Sequence, residues 1–574
     1  MRCFALLVLV VLLSSCASTG DTAGEVLVAA TEADERPTRE LQRDEQSRAI
    51  NHYLAYRIHA RAGKFSEAIL ALREAADTAP ESSRLQLQLL AIYYRNKDYD
   101  NAALMAERAL LAHPDNATLH IWLGRIYNEL ARPDDAIAEF EKSIAADPDG
   151  TGGYEALAEM EESVNDRVGA ADVYEKLLEV APDSAYLHYR LGYNLMLMSD
   201  SEGSRVALER ALELQPDMVE ASYLLGVSYL DLKEFEKAVQ QFRSFLRTNP
   251  SHLRGRVNLA AALDQLGDHE NALRLITAIV ESAQVDTEHH LMRLYLLLRQ
   301  DTIADPSIAI APNGSPFLGT ILQILVRKKA GEPYAELLES LDRMEGDLDA
   351  ECTFQLGGML SVFGTESAGA FLINQFNAVL EGKTRSRVLE TILGRMYMFS
   401  GKNEEAKRAL EGVFTNYGGE KWVHYYLATV SEELKEHRQT EFHLDESLKY
   451  APNDPVLLNF LGYFYAEQDK NLKEARKLLD RALAIDPENG FYLDSLGWIY
   501  YKQGDGKRAV EYIERAIRAM NNDDAVLRDH MGDAYLLNKE PEKALGEWKR
   551  AVRLDPTVEG VAEKIEKYSE QGAE

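Results

Sequence analysis

Pro80, Pro114, Pro148, Pro182, Pro216 and Pro250 stand 34 residues apart. Six prolines in one phase mark an internal repeat, and a period of about 20–50 residues is the signature of a solenoid, propeller or array. The residues between the prolines keep the same phase. The third unit carries His120, Leu123-Gly124, Tyr127, Ala136, Phe140 and Pro148; the sixth carries Leu225-Gly226, Tyr229, Ala238, Phe242 and Pro250. Leu123, Gly124 and Tyr127 share one face of a first helix, and Ala136 and Phe140 share one face of a second. Gly124 and Ala136 are small enough to let the two helices cross closely. Pro148 cannot continue a helix and resets the chain for the next unit. Each hairpin buries only part of its apolar face, and stacking on its neighbours buries the rest.

This pattern resembles the tetratricopeptide repeat, W-x2-L-G-x2-Y…A-x3-F…P, at that family's own period. The resemblance implies an all-α fold, a superhelical solenoid of antiparallel helix pairs with about twelve clear repeats and up to three degenerate ones. Seven units start near residues 49, 83, 117, 151, 185, 219 and 253 and make an N-terminal block over 47–284. A second block over 387–556 returns with Gly394, Tyr397 and Ala406, and runs through Leu461-Gly462, Leu496-Gly497 and Met531-Gly532 to Pro556. Its five units start near 387, 421, 455, 490 and 525, with one-residue insertions in the third and fourth. Residues 557–569 read as an amphipathic helix capping the last apolar face, within a C-terminal segment of 557–574. Between the blocks lie 102 residues, 285–386, three times 34. That frame predicts degenerate repeats rather than an inserted domain. Pro306, Pro312 and Pro316 place a loop over 301–316, and 318–330, 333–345, 350–363 and 366–380 read as helices.

The N-terminus points to an address. Arg2 precedes an unbroken apolar run from Phe4 to Leu13. Ten residues make about 15 Å of helix, too short for a bilayer core of about 30 Å. The segment 1–15 therefore reads as a signal peptide. Leu13-Ser14-Ser15-Cys16 resembles the lipobox of bacterial lipoproteins, in which cleavage precedes the cysteine and acyl chains are attached to it. The resemblance implies lipidation of Cys16, palmitate included, and stable anchoring, since each buried methylene adds about 0.8 kcal/mol. Ala17 is not the aspartate that tends to retain such lipoproteins in the inner membrane, so the expectation is the outer membrane, facing the periplasm. Residues 16–46 are rich in Ser, Thr, Ala, Glu and Asp and read as the lipidated cysteine followed by a flexible tether.

Composition excludes several classes. Lys+Arg is 63 against Asp+Glu 94, a net charge of -31, which repels phosphate backbones and argues against nucleic-acid binding. The three cysteines, Cys3, Cys16 and Cys352, rule out a disulfide scaffold and a multi-cysteine metal site. His289-His290 point about 100° apart on a helix and do not easily share a metal. Gly382-Lys383-Thr384 lacks the upstream glycine and strand of a phosphate-binding loop. Cys352 lies beside Phe354 and Leu356 and reads as a buried, inert thiol. The expectation is no enzyme, no metal and no cofactor. The alternative is an envelope hydrolase with a catalytic centre in 285–386.

The binding surface is better defined. In the family the resemblance names, first helices line the concave side and repeat positions 2, 5, 9 and 12 point into it. Tyr186, Tyr189 and Tyr193 occupy positions 2, 5 and 9 of one unit, and Tyr223 position 5 of the next. A second cluster comprises Trp422, Tyr425, Tyr463, Phe491, Trp498 and Tyr501. Such aromatics are candidate hot spots for a protein or peptide, or else pack neighbouring first helices together. Arg57, Arg125 and Arg395 occupy position 9, where they would hold partner carboxylates or form a solvated face. None of the twelve units has the position-9 asparagine with which such domains grip a C-terminal carboxylate. The functional expectation is a lipid-anchored scaffold or adaptor that binds proteins or extended peptides. The long repeat array and Asp494-Ser495-Leu496-Gly497-Trp498 resemble adaptors of carboxyl-terminal processing proteases; envelope assembly factors are the other type. The sequence leaves oligomeric state open.

If Cys16 is the lipidation site, Cys16→Ser releases the protein from the membrane fraction or leaves the precursor uncleaved. Fractionation and mass measurement of the mutant check this, and normal membrane retention of a mature-sized mutant contradicts it.

Overall fold

The computed structural model describes residues 43–571, apart from 81, 283–286, 301–315, 345–358, 361, 365–366, 382–383 and 521–522. The signal peptide, Cys16, the tether up to 42, the loop 301–315 and Cys352 lie outside the described residues. Every regular element among the described residues is an α-helix. The first helix, Arg43–Arg61, begins four residues inside the stretch read as tether. Its opening Arg43-Asp44-Glu45-Gln46 lacks apolar periodicity but includes good helix formers.

Helix pairs recur with little variation. In the third unit, Ala117–Glu129 is followed by Pro133–Ala146, and the next pair is Thr151–Ser163 and Arg167–Val180. The turn inside each pair depends on one residue in the left-handed region. It falls at Gly63, Lys97, Ala131, Asn165, Ser199, Lys233 and Gly267, again 34 residues apart, and at Gly401, Lys435, Asp469, Gly504 and Lys539 in the C-terminal block. At Ala131, with φ 56°, the N–H of Arg132 donates to Tyr127 O at 2.9 Å and that of Ala131 to Asn128 O at 3.0 Å. These bonds satisfy carbonyls at the helix end. Left-handed backbone costs a residue with a Cβ about 1–2 kcal/mol, so several repeats spend stability on the turn.

The two helices of a pair cross where one side chain is missing. A Cβ on Gly124 would lie 2.5 Å from Phe140 Cε1, and one on Gly226 would lie 2.7 Å from Phe242 Cε1. Ala136 and Ala238 are fully buried in the same crossings. The last pair is closed by Val561–Gln571, from which Ile565 and Tyr568 pack onto Trp548 together with Val558.

The described residues divide into two compact units, those up to Pro216 and those from Asp217 on. This boundary falls inside the stretch read as one seven-repeat block. Within the second unit, the middle segment departs from the degenerate-repeat expectation. Helices Thr287–Arg299, Pro316–Ala330, Ala335–Arg343 and Ser367–Val379 are present, but they do not simply stack at the repeat spacing. Gln265 donates to Phe363 O at 2.6 Å and to Ser367 Oγ at 2.9 Å, 98 and 102 residues further on. Buried Tyr295 packs edge-on against Phe363 at 5.3 Å and donates its hydroxyl to Asp264 at 2.7 Å. In a regular solenoid each unit touches its neighbours; here the chain leaves the stack and returns. Asp342 then anchors the C-terminal block, accepting from Ser386 Oγ at 2.7 Å and from Val388 N at 3.2 Å.

Two substitutions test these constraints through denaturant midpoints. Gly226→Ala forces the Phe242 ring aside and lowers stability by about 1–3 kcal/mol. Ala131→Gly removes the left-handed penalty and raises stability by up to about 1 kcal/mol.

Candidate protein-binding groove

In the first unit, the tyrosine stripe lies on the helix Ala185–Leu197. Ser184 caps this helix, its Oγ accepting from Leu187 N at 3.4 Å, which fixes where the stripe begins. Tyr186 is 52% exposed, the most open of the three; Tyr189 and Tyr193 are half-buried. Arg190 Nη1 donates to Tyr186 Oη at 2.6 Å, and the same guanidinium pairs with Glu162. Asn194 Nδ2 reaches Glu162 at 2.7 Å. Position 6 thus holds a cation that orients the position-2 ring, a role absent from the sequence reading. Tyr223 belongs to the second unit. It is half-buried against Phe245 at 5.0 Å and His252 at 5.3 Å, and Asn258 donates to its hydroxyl at 3.4 Å. Its ring joins one repeat to the next.

The second cluster lies wholly in the second unit. Trp422 and Tyr425 share the helix Lys421–Glu433, with ring centroids 5.9 Å apart. Tyr425 also meets Phe460, at 6.1 Å, on the helix Pro455–Glu467. That helix packs on Gly490–Lys502, and Gly490–Lys502 packs on Ala525–Leu537. Tyr463, Trp498, Tyr501 and His530 therefore come together across three successive first helices. Phe491, 53% exposed, stands at the outer edge.

Trp498 departs from the expectation of an exposed binding residue. It is only 7% exposed. Tyr501 stacks on it at 4.6 Å, His530 stacks on it at 4.0 Å, and its indole N–H donates to Glu467. A ring so engaged has little surface left for a partner, so Trp498 is core between repeats. The one-repeat offset that brings His530 beneath it is legible only once the helices are stacked.

The electrostatics of this stack are set by carboxylates. Burial pushes the His530 imidazole down, but Asp494, bonded to Nδ1 at 3.0 Å, with Asp529 and Glu467, pushes it up further, so its net shift is upward. The imidazole ring stacks on the Trp498 face, with centroids 4.0 Å apart. Burial first, then Glu467, Asp494, Glu432 and Asp524, push the Tyr463 hydroxyl up. Lys564 of the last helix pairs with Asp529 at 2.7 Å and Asp533 at 2.8 Å.

The arginines behave differently from one another. Arg395 lies over the Tyr426 ring at 4.3 Å, which makes it a packing cation. Arg57 is exposed and Arg125 half-buried. His289 is buried and His290 half-buried. Among the described residues, no three His, Cys, Asp or Glu side chains are grouped to hold a metal ion.

Within each unit, stacked helix hairpins with aromatic-rich first helices define a helical-repeat scaffold for protein interaction. Tetratricopeptide repeat family models match residues 53–106, 92–151, 189–252, 228–289 and 493–526, and the chain is a tetratricopeptide repeat protein. No curated protein matches it. Among solved structures it is similar to MamA (22% identity over 29% of this chain and 91% of that one, TM-score 0.27). It is also similar to the Cut9–Hcn1 heterotetramer of the APC/C (15% identity, 87% and 98%, TM-score 0.34) and to yeast Tom70 (13% identity, 80% and 96%, TM-score 0.32).

Trp498→Ala costs about 3–5 kcal/mol of stability, as for a large buried ring, and shows as a lowered melting temperature of the C-terminal repeats. Because the folded-state pKa of His530 is raised above the ordinary 6.5, its stabilisation is complete below that value and is lost as pH rises through the folded-state value. The melting-temperature gap between the unmodified protein and His530→Gln therefore narrows as pH is raised from about 6 to about 9.

Proposed function

We propose that this protein is a non-enzymatic, lipid-anchored scaffold or adaptor of the bacterial envelope. It is held at the outer membrane through Cys16, faces the periplasm, and binds proteins or extended peptides along the first-helix face of its repeats. The observation that carries the binding role is the exposure of Tyr186 and Phe491, 52% and 53%. Both are large aromatics at position 2 of their repeats, each beside more buried rings of its own unit. Exposed rings beside packed ones are the usual make-up of a protein-binding hot spot. The envelope address rests on the apolar run Phe4–Leu13 and on Leu13-Ser14-Ser15-Cys16. Within this role, the long repeat array favours an adaptor that presents substrates to a carboxyl-terminal processing protease over an assembly factor.

A photo-crosslinking amino acid placed at 186 or 491 in cells captures a partner protein, whereas the same probe at 206, an exposed second-helix position, does not. Equal capture from 206, or none from 186 and 491, refutes the groove.

A further inference from the structure

In several repeats the two helices of a pair are tied together at one recurrent place. His120 Nδ1 meets Glu139 Oε2 at 2.6 Å between Ala117–Glu129 and Pro133–Ala146. Arg528 Nη1 donates to Glu547 Oε2 at 2.9 Å between Ala525–Leu537 and Pro541–Leu554. Each link joins the fourth residue of the first helix to the residue 19 further on. The pair Lys421–Glu433 and His437–Tyr450 has the same link with two imidazoles. His424 and His443 are also 19 residues apart, and their Nδ1 atoms face each other at 2.9 Å.

Both rings are buried, 3% and 8% exposed, and aromatic rings enclose them. Phe414 lies 5.4 Å from His424 and 6.3 Å from His443. Phe442 lies 5.0 Å from His443, and Tyr450 6.1 Å from His424. The Gly419 backbone lies against His424 Nε2. The charges acting on the rings are Lys407 from Asn403–Tyr417, and Glu446 and Lys449 from His437–Tyr450. All three are engaged elsewhere: Lys407 with Glu436 at 2.6 Å, and Glu446 with Lys449.

One proton between the two Nδ1 atoms satisfies both, one ring donating and the other accepting. A further proton at the pair places charge among the aromatic rings, and protonation of both rings sets N–H against N–H. Burial pushes both imidazoles down; His443 falls to about 4, with His424 and Lys407 adding to the effect and Glu446 opposing it. The two rings titrate as a unit. The other two links respond differently to acid. A proton on His120 faces the Glu139 carboxylate, and Arg528 keeps its charge at every relevant pH.

We propose that the His424–His443 pair is an acid-released latch, which holds Lys421–Glu433 against His437–Tyr450 at neutral pH and lets this hairpin open as the medium acidifies. The opened segment takes protons near the ordinary 6.5, whereas the closed pair resists them. The latch is therefore at full strength above 6.5 and weakens as pH falls from there towards about 4. One imidazole held at about 4 rather than 6.5 makes opening about thirtyfold easier at about pH 5 than at neutral pH. Trp422 and Tyr425 stand on the released helix, so opening also breaks up the second aromatic cluster. The latch works whether or not that cluster binds a partner.

Hydrogen exchange of the full chain, followed helix pair by helix pair and corrected for the intrinsic pH dependence of exchange, tests the latch between about pH 7.5 and about pH 5. Protection of 421–450 falls by roughly tenfold or more, while that of 117–146 stays within about threefold. His443→Glu copies the His120–Glu139 arrangement and abolishes the acid loss at 421–450. The double variant His424→Leu/His443→Leu cannot titrate at this place and abolishes it too, so either variant that folds decides. A fall at 421–450 no greater than that at 117–146, or one that persists in a folded variant, overturns the proposal.

Discussion

Among the described residues, a helix pair does not bury all of its own apolar surface, and everything else depends on that shortfall. A pair contributes one close crossing, Gly124 against Phe140 or Gly226 against Phe242, and leaves its other apolar face for the next pair. Stability is then largely a matter of neighbours. The helix Val561–Gln571 lays Tyr568 against Trp548 and covers apolar surface of the last described helix pair. Where the chain departs from the 34-residue rhythm, other devices replace stacking. Gln265 holds a segment about a hundred residues away, and Asp342 caps the helix that restarts the array.

The same dependence governs the polar chemistry. Between the last repeats, Asp494, Glu467 and His530 are drawn together by helix stacking. Burial opposes charge on the His530 ring, and Asp494, Asp529 and Glu467 outweigh that penalty. Such a cluster ties adjacent repeats to each other through directed bonds, and its geometry is more specific than apolar contact. It also divides the face into two parts: an inner layer of rings committed to one another, and an outer edge where Val456, Phe491 and Val526 remain open.

The candidate site was legible in the sequence as a set of positions, not as a set of roles. Positions 2, 5, 9 and 12 single out one helix face because the repeat has a fixed period. They do not separate Phe491, which is open, from Trp498, which is sandwiched. That difference comes from the residue one repeat further on, His530, and from the hydrogen bond to Glu467. Arg190 escaped notice for a similar reason: it lies at position 6, and its part in fixing Tyr186 appears only when Glu162 of the preceding repeat holds it.

By itself, the sequence determined the helix pairs, their 34-residue period, the small residues at each crossing and the apolar N-terminal run. All of these are local or strictly periodic, and a repeat writes them many times over. The tertiary structure alone decided the left-handed turns at Lys97, Ala131 and Lys233, since nothing in a lysine or alanine signals a positive φ that helix packing imposes. It also decided the long-range closure of the middle segment and the division of the aromatic face into core and rim. Those depend on which side chains meet across repeats, and sequence distance says nothing about that once the period is broken or a single residue is inserted.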